Sequence, residues 1–202
     1  MNWQRYSGRA LTAIALAGAT FVAFGAAPAA ATSGWSHTKA VDTNAEASNI
    51  AAMSCVKGTA WCMAVDGTGN YLVLSNSEWS KPVHFDPKVN GAGAGVTSVS
   101  CATTKLCAAV DALGYGLTWN GAKWSTPKRL AGNGNGSIDI TSVSCATSKF
   151  CIAVDSNGDA IAYSNGSWGA TKVIDPQFKS QGELGILGVS CPTSSFCMAV
   201  DS

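Results

Sequence analysis

The sequence is poor in charge. Only 12% of its 202 residues are Asp, Glu, Lys or Arg, and thirteen basic residues against twelve acidic ones leave a formal net charge of +1. A nucleic-acid-binding protein needs a basic surface that neutralises phosphates, so we expect no nucleic-acid partner. Because 47% of the residues are hydrophobic, the composition also excludes a disordered charged tail. We expect a chain that folds around an apolar core.

Arginine is scarce, and two of the three arginines lie at the N-terminus. Arg5 and Arg9 precede an apolar run over residues 10–26, which is followed by the small residues Ala29-Ala30-Ala31. A basic start, an apolar run and an A-x-A cleavage site are the parts of a secretory signal peptide, which we predict over residues 1–31. We therefore expect a secreted protein, extracellular or cell-wall associated, with no membrane span after cleavage.

The sequence contains four copies of a repeated segment. The first cysteines of four similar segments follow one another at steps of 46, 44 and 46 residues. A period of this size is that of one supersecondary unit, so we predict a single repeat domain over residues 32–202. Its repeats are predicted near residues 50–95, 96–139 and 140–186, with a partial one at 187–202. The segments read AMSCVKGTAWCMAVD (52–66), SVSCATTKLCAAVD (98–111), SVSCATSKFCIAVD (142–155) and GVSCPTSSFCMAVD (188–201).

Turn residues divide each unit into four short strands. A strand ending in V-S-C is followed by a short link, an apolar strand C-x-A-V-D, a D-x-x-G turn and a third strand. An N-G or N-S turn then leads to a fourth strand that begins at a tryptophan, namely Trp79, Trp124 or Trp168. Four antiparallel strands in about 45 residues are typical of a β-propeller blade, so the predicted fold class is all-β. We expect the repeated aspartates to cap local amides and the repeated tryptophans to pack between blades.

The strands do not add up to complete blades. Residues 34–42 resemble a lone outer strand, and the fourth copy contains only two strands. Three full blades with extra strands at both ends therefore predict a partial propeller. We favour a truncated piece of a longer propeller over the alternatives, a defective four-bladed ring or an oligomer.

The eight cysteines follow the repeat. In an exported chain an even number of cysteines predicts disulfides, and translation by one repeat must map pairs onto pairs. This favours one bridge within each unit. A zinc site is disfavoured, because C-x5-C lacks the usual ligand spacing and neither His37 nor His84 recurs, and no cofactor is expected. The predicted pairs are Cys55 with Cys62, Cys101 with Cys107, Cys145 with Cys151, and Cys191 with Cys197.

One turn has some features of a calcium loop. Asp155, Asn157 and Asp159 present oxygen atoms at alternate positions, as the start of such a loop does. The twelfth position holds Gly166 where a calcium loop has glutamate, and the middle repeat has no such ligands. We therefore favour a plain turn and predict no metal site, with these three residues as a weak calcium candidate.

The repeat resembles a known family. The motif S-C-x5-C-x-A-V-D-x-x-G, followed by G-x-W, is similar to that of exported repeat proteins of actinobacteria, and the resemblance covers residues 34–202. It implies a β-propeller related in architecture to the BNR and sialidase-like propellers, with no established activity. A sialidase-type site requires a cluster of arginines, but Arg129 is the only one left after signal cleavage. We therefore predict a protein that is not an enzyme.

These observations lead to three functional hypotheses. The first is a secreted binding or scaffold module whose partner is a glycan or cell-wall polymer. The alternatives are a truncated fragment of a sialidase-like or other glycoside-active enzyme and an extracellular protein-interaction module. Trp61 and Trp119 are not repeated, so they are the candidate ligand contacts, although Trp119 also fits a core position in the third strand.

Overall fold

The structure contains only β-strands as regular elements in the parts of the chain that it describes. It is a computed structural model, and it describes residues 2–5, 49–89, 95–131, 139–176 and 185–201. The strands form four sheets, which we call blades 1 to 4 in chain order of the repeats. The β-propeller architecture predicted from the sequence is confirmed. Within the described ranges, no helix has the length and apolar character needed to cross a membrane.

Each of the first three blades corresponds to one sequence repeat. One short strand, β1 (Asn2–Arg5), comes before the repeats. Blade 1 consists of β2 (Ile50–Cys55), β3 (Cys62–Asp66), β4 (Asn70–Ser75), β5 (Glu78–Trp79) and β6 (Val83–His84). Blade 2 consists of β7 (Val96–Thr103), β8 (Leu106–Asp111), β9 (Tyr115–Trp119) and β10 (Lys128–Arg129). Blade 3 consists of β11 (Ile140–Thr147), β12 (Phe150–Asp155), β13 (Asp159–Ser164) and β14 (Ser167–Val173). Blade 4 contains β15 (Gly188–Thr193) and β16 (Phe196–Val200).

The strands within blades 1 to 3 pair antiparallel in chain order, as expected. The predicted N-S and N-G turns precede the fourth strand: Asn76 and Ser77 have φ of 51° and 64°, and Asn165 and Gly166 have φ of 48° and 98°. Two consecutive positive φ values fit the twist of a two-residue hairpin. The fourth strand is continuous only in blade 3. It is split into β5 and β6 in blade 1, and in blade 2 a bridge between Trp119 and Trp124 precedes β10.

The hydrophobic core lies between consecutive blades. The second strand of each complete blade is almost entirely buried, and in blades 2 and 3 a neighbouring blade packs on each of its faces. A strand buried on both faces needs a continuous apolar run, which is what C-x-A-V supplies. Between blades 1 and 2, Met63 and Val65 pack against Val99 and Ala109. Equivalent clusters join blade 2 to blade 3 and blade 3 to blade 4.

The serine of the V-S-C motif forms a hydrogen bond from one blade to the next. The hydroxyl oxygen of Ser54 accepts from the backbone N of Cys101 at 2.9 Å. Ser100 accepts in the same way from Cys145, and Ser144 from Cys191, both at 2.9 Å. The innermost strands of adjacent blades are thus joined by one repeated side-chain contact. We call this series of bonds the serine ladder.

Blade 4 differs from the others in the partner of its second strand. The third strand of blades 1 to 3 runs antiparallel to the second, but β1 pairs with β16 in parallel, with Asn2 opposite Phe196. The strand β1 lies within the predicted signal peptide, whose cleavage remains a prediction. The predicted outer strand at residues 34–42 is outside the described residues.

The four disulfides join the pairs predicted from the repeat. Each bridge connects the first strand of a blade to the second, and Cys55 and Cys62, like Cys101 and Cys107, are direct partners in the strand register. The described cysteines include no free thiol. Each blade therefore has its own covalent link between its two inner strands. The bridges are Cys55–Cys62, Cys101–Cys107, Cys145–Cys151 and Cys191–Cys197.

Candidate binding face

The topology places the D-x-x-G turns and the connections between blades at the same end of the molecule. Each turn donates a hydrogen bond to the residue that precedes or begins its own blade: Gly67 N to Asn49 O at 3.2 Å, and Ala112 N to Gly95 O at 3.0 Å. We call this end the loop face. The opposite end carries the disulfides and the links between first and second strands, and we call it the disulfide face. Propellers commonly place ligands where variable loops gather on a rigid scaffold.

Buried aspartates build the turns of the loop face. Asp66, Asp111 and Asp155 are fully buried. In each, Oδ1 accepts from the backbone N of the residues two and four positions later, at distances between 2.7 and 3.0 Å. The glycine of each turn has a positive φ of 80° to 86°, a conformation that other residues rarely adopt. The capping role predicted for the repeated aspartates is confirmed.

The pKa values of the first two of these carboxyl groups are shifted in opposite directions. Burial tends to raise the pKa of Asp66, but hydrogen bonds from Asn70 and Thr68 outweigh it, and the pKa is lowered. Burial raises the pKa of Asp111 to about 7, and the neighbouring carboxyl of Asp86 adds to the increase. The repeat position is the same, but the second copy has Leu113 and Tyr115 where the first has hydroxyl and amide donors.

Asp86 and Asp111 bring two carboxyl groups together at the boundary of blades 1 and 2. Within the described residues, the Oδ2 atom of each has no hydrogen-bond partner, because two carboxylates offer no hydrogen to each other until one is protonated. Such pairs act as acid and base in some hydrolases. Here both residues are fully buried, so a substrate would not reach them. We assign this pair a structural role.

An exposed group of cationic and aromatic side chains lies on the loop face next to this pair. The ring centroid of Tyr115 lies 5.5 Å from Lys88 Nζ and 4.8 Å from the guanidinium carbon of Arg129. Arg129 Nη1 also donates to the carbonyl of Ala131 at 3.1 Å, which orients the guanidinium. Lys88 and Arg129 are exposed and Tyr115 is half-buried. We call Lys88, Tyr115 and Arg129 the Tyr115 cluster.

Sequence analysis missed this cluster, because its members come from three separate segments. Lys88 follows the last strand of blade 1, Tyr115 begins β9, and Arg129 belongs to β10 of blade 2. The available signal was slight: Tyr115 follows the glycine of the middle D-x-x-G turn, where the other copies have Asn70 and Asp159. The sequence marks Arg129 only as the single arginine that remains after the predicted signal cleavage.

The two tryptophans predicted as ligand contacts lie away from the loop face. Trp119 is only 8% exposed, and its indole N–H donates to the carbonyl of Thr104 at 3.2 Å, in a link of the disulfide face. Its ring lies 5.5 Å from that of Tyr71, between blades 1 and 2. Trp61 is half-buried against the same core cluster. For Trp119 the structure favours the core position over an exposed contact, and a ligand role for Trp61 remains a prediction.

Two of the three repeated tryptophans, Trp124 and Trp168, pack between blades as expected. The ring of Trp124 in blade 2 lies 4.4 Å from that of Phe85 in blade 1. Trp168 in blade 3 is 6% exposed, contacts Tyr163 with 5.3 Å between ring centroids, and belongs to the core cluster shared with blade 2. Lys128 of blade 2 donates to the carbonyl of Trp168 at 2.9 Å.

The weak calcium candidate forms the same turn as the other two copies. Asp155 Oδ1 accepts from the backbone N of Asn157 at 2.9 Å and of Asp159 at 3.0 Å. This hydrogen bonding is that of a capped turn. Across the described ranges, no group of three or more His, Cys, Asp and Glu side chains has the arrangement of a metal site.

Comparison with known proteins identifies the fold. No protein-family model matches the chain, and no curated protein matches it. Among solved structures, the chain is similar to U3-55K, with a TM-score of 0.56, 10% identity and coverage of 73% of this chain and 44% of that one. It is also similar to YCF48 from Cyanidioschyzon merolae, with a TM-score of 0.52, 18% identity and coverage of 71% and 47%.

A third similar structure is YCF48 bound to D1 peptide, with a TM-score of 0.48, 10% identity and coverage of 67% of this chain and 42% of that one. The chain thus spans less than half the length of each of these three structures. At such low identities, the similarity to U3-55K and to YCF48 from Cyanidioschyzon merolae shows a common β-propeller fold and nothing about activity.

Proposed function

We propose that this protein is a secreted β-propeller module that binds an acidic segment of an extracellular protein through its loop face. The Tyr115 cluster is the observation that carries the proposal. Tyrosine and arginine are enriched at the centres of protein interfaces, because they combine a large apolar surface with directed hydrogen bonds. Two cations on one aromatic ring favour a partner that supplies carboxylates.

The charges below the cluster support an acidic partner. The buried carboxyl groups of Asp86 and Asp111 lie at the same boundary between blades, and burial raises the pKa of Asp111 to about 7. Below that pH the Asp111 carboxyl is largely neutral, so it does not cancel the positive charge of Lys88 and Arg129. The net field at the cluster therefore attracts carboxylates.

The scaffold is suited to an oxidising environment outside the cell. Four disulfides persist in such environments and are rare in a reducing cytosol. Because each bridge joins two inner strands, the loop face rests on covalently linked strands. A rigid support reduces the conformational entropy that binding would otherwise cost. These bridges and the predicted signal peptide both support secretion.

Binding of a fluorescent oligoglutamate peptide tests the proposal, with oligolysine and glycine-serine peptides of equal length as controls. We expect fluorescence anisotropy to show binding of oligoglutamate alone. Lys88→Gln and Arg129→Gln should each weaken it about two- to fivefold, the usual effect of an exposed ion pair. Tyr115→Ala should weaken it further through loss of apolar contact.

Two lysines of the disulfide face provide matched controls. Lys105 and Lys149 are exposed in equivalent links of blades 2 and 3, so Lys105→Gln and Lys149→Gln remove the same charge at the opposite end. Both variants should bind oligoglutamate as the unchanged protein does. Equal weakening by all four charge substitutions would show attraction without a site and contradict the proposal, as would absence of binding.

Glycan binding and the absence of catalysis remain predictions. A glycan array separates the first from protein binding: a glycan signal without oligoglutamate binding would favour the glycan hypothesis. Hydrolysis of a reporter glycoside by the purified protein would favour the enzyme hypothesis instead.

A further inference from the structure

The buried carboxyl groups of Asp86 and Asp111 are tied to two members of the Tyr115 cluster. Oδ1 of Asp86 accepts from the backbone N of Lys88 at 3.0 Å, and Oδ1 of Asp111 accepts from the backbone N of Tyr115 at 2.7 Å. Each carboxyl therefore anchors the part of the cluster that its own blade supplies. The contact between Lys88 Nζ and the Tyr115 ring, at 5.5 Å, spans the same boundary between blades 1 and 2.

The second oxygen atoms of the two carboxyl groups suit one shared proton. Oδ2 of Asp86 and Oδ2 of Asp111 are both buried and, among the described residues, have no hydrogen-bond partner. The two carboxyl groups are close enough to form a hydrogen bond with each other once one of them is protonated. With that proton present, one Oδ2 donates to the other and both atoms are satisfied. Without it, two negative charges face each other away from water, which costs free energy.

The sequence places this carboxyl pair at some blade boundaries and not at others. Asp86 comes twenty residues after Asp66, and the same offset from Asp155 reaches Asp175. The same offset from Asp111 reaches Ala131, so blade 2 supplies no second carboxyl at this position. The boundary that carries the Tyr115 cluster therefore has the pair, whereas the boundary between blades 2 and 3 lacks it.

Other charged and titratable side chains surround the pair. The strand β7, which pairs with the strand that ends at Asp111, contributes no charged residue. The ring of His84 in β6 approaches the D-x-x-G turn of blade 1, because a Cβ at Gly69 would lie 3.1 Å from it. Burial and the carboxyl of Asp86 raise the pKa of Asp111 to about 7, so the change of charge falls near neutral pH. Within the described residues, the surrounding groups are Asp66, His84, Lys88, Tyr115 and Arg129.

We propose that the Asp86–Asp111 pair is a proton switch for the Tyr115 cluster, which binds an acidic partner more tightly while the pair holds a proton than when both carboxyls are ionised. The inference rests on the proposed function and adds its regulation. Loss of the proton adds a negative charge near Lys88 and Arg129, which opposes the attraction of carboxylates. It also makes the two anchors of the cluster repel each other across the blade boundary.

The pH dependence of oligoglutamate binding tests the switch. Fluorescence anisotropy should show an affinity that falls about two- to tenfold as pH rises from about 6 to about 8.5, the effect of one added charge near an exposed ion pair. Glutamate side chains have an ordinary pKa of about 4.3, so the peptide keeps its charge over this range. Asp111→Asn retains the oxygen that accepts from Tyr115 and cannot ionise. Its affinity should be independent of pH and close to that of the unchanged protein at the acidic end.

Two variants provide matched controls for the pH profile. Asp66→Asn makes the same change at the equivalent turn position of blade 1, outside the pair, and His84→Gln removes the neighbouring imidazole. Both variants should keep the pH dependence of the unchanged protein. A flat profile in His84→Gln together with an unaltered one in Asp111→Asn would assign the switch to the imidazole and overturn the proposal.

Proton uptake provides a readout that a purely structural role of the pair would not produce. If protonation favours binding, binding must favour protonation by the same factor, so oligoglutamate should take up protons near neutral pH. Calorimetry in two buffers of different ionisation enthalpy measures this uptake as a difference between the observed binding enthalpies. The difference should be present in the unchanged protein and in Asp66→Asn, and absent in Asp111→Asn.

The outcomes separate the switch from the proposed function. Equal affinity for oligoglutamate at every pH would overturn the switch alone, whereas absence of binding at every pH would overturn both. The backbone amide signals of Lys88 and Tyr115 in nuclear magnetic resonance spectra test the coupling without any peptide. They should shift together with pH near neutral in the unchanged protein and stay fixed in Asp111→Asn. Signals that do not move with pH in the unchanged protein would also overturn the switch.

Discussion

Gly95 packs against the backbone of the preceding blade, and a single added carbon would disturb that contact. An ideal Cβ at Gly95 would overlap the carbonyl oxygen of Gly67, which belongs to the D-x-x-G turn of the preceding blade. The same relation recurs at the interface of blades 3 and 4, where a Cβ at Gly185 would overlap the carbonyl oxygen of Ser156. These glycines are needed for close packing of backbone against backbone, and neither has a positive φ.

We expect Gly95→Ala to destabilise the protein by about 1–3 kcal/mol, the usual effect of overpacking a tight contact. Gly67→Ala is the control: a Cβ at Gly67 meets no atom within 4 Å. Its effect should be within about 0.5 kcal/mol, as for most open surface positions. Chemical denaturation followed by tryptophan fluorescence measures both. Similar losses in the two variants would show that glycine flexibility, and not the contact, is what matters.

The D-x-x-G turn is an element whose sequence predicts its geometry but not its electrostatics. The recurrence of Asp66, Asp111 and Asp155 at one offset was sufficient to predict capped turns. The opposite pKa shifts of Asp66 and Asp111 were not predictable, because they depend on which residues donate within each turn and on Asp86, which reaches Asp111 from the preceding blade. Contacts between segments that are distant in the sequence leave no periodic pattern in that sequence.

Asp111 should make stability fall as pH rises toward neutral. Its pKa is raised to about 7 in the folded protein and is about 3.9 in an unfolded chain. Between these values the folded state holds a proton that the unfolded state has lost, so this contribution is full below about pH 4 and disappears as pH rises through 7. Asp111→Asn keeps the oxygen that accepts from Leu113 and Tyr115 and removes the titration. Urea unfolding at several pH values should show a flatter profile between pH 4 and 7 for this variant.

The variant Asp66→Asn tests a pKa shift in the opposite direction. The pKa of Asp66 is lowered, so its contribution is present above its unfolded pKa and is lost in acid. The variant should be less stable than the unchanged protein at pH 7, and the two should converge at low pH. A steeper loss of stability toward pH 7 in Asp111→Asn than in the unchanged protein would contradict the raised pKa of Asp111.

The fourth strand of each blade shows where repetition ceases to predict structure. The positions of Trp79, Trp124 and Trp168 predicted its start, but it is continuous only in blade 3. Outer strands have a neighbour on only one edge, so local side chains and loop lengths decide their pairing. The Tyr115 cluster was unpredictable for a related reason: it lies at the outer, least repetitive part of blades 1 and 2.

For the molecule as a whole, packing between blades contributes more to stability than the disulfides. Each bridge closes a loop of only 6 or 7 residues. On the chain-entropy model, a loop of that size is worth about 2 kcal/mol. The second strands are buried along almost their whole length, and most side chains of the core clusters between blades are not bridged cysteines.

We therefore expect the reduced and alkylated protein to keep its β-sheet circular dichroism at room temperature and to unfold at a lower denaturant concentration than the oxidised protein. A sample alkylated without reduction is the control, since its described cysteines are all bridged. Complete loss of the β-sheet signal on reduction would show that the bridges, and not the packing between blades, hold the fold together.

The serine ladder also identifies three amides that should exchange slowly with solvent. The backbone N–H groups of Cys101, Cys145 and Cys191 each donate to a hydroxyl of the preceding blade. Such an amide exchanges only when the two blades separate locally, so its exchange rate measures the free energy of that opening. Hydrogen exchange at these three positions therefore reports on the three interfaces between blades one by one.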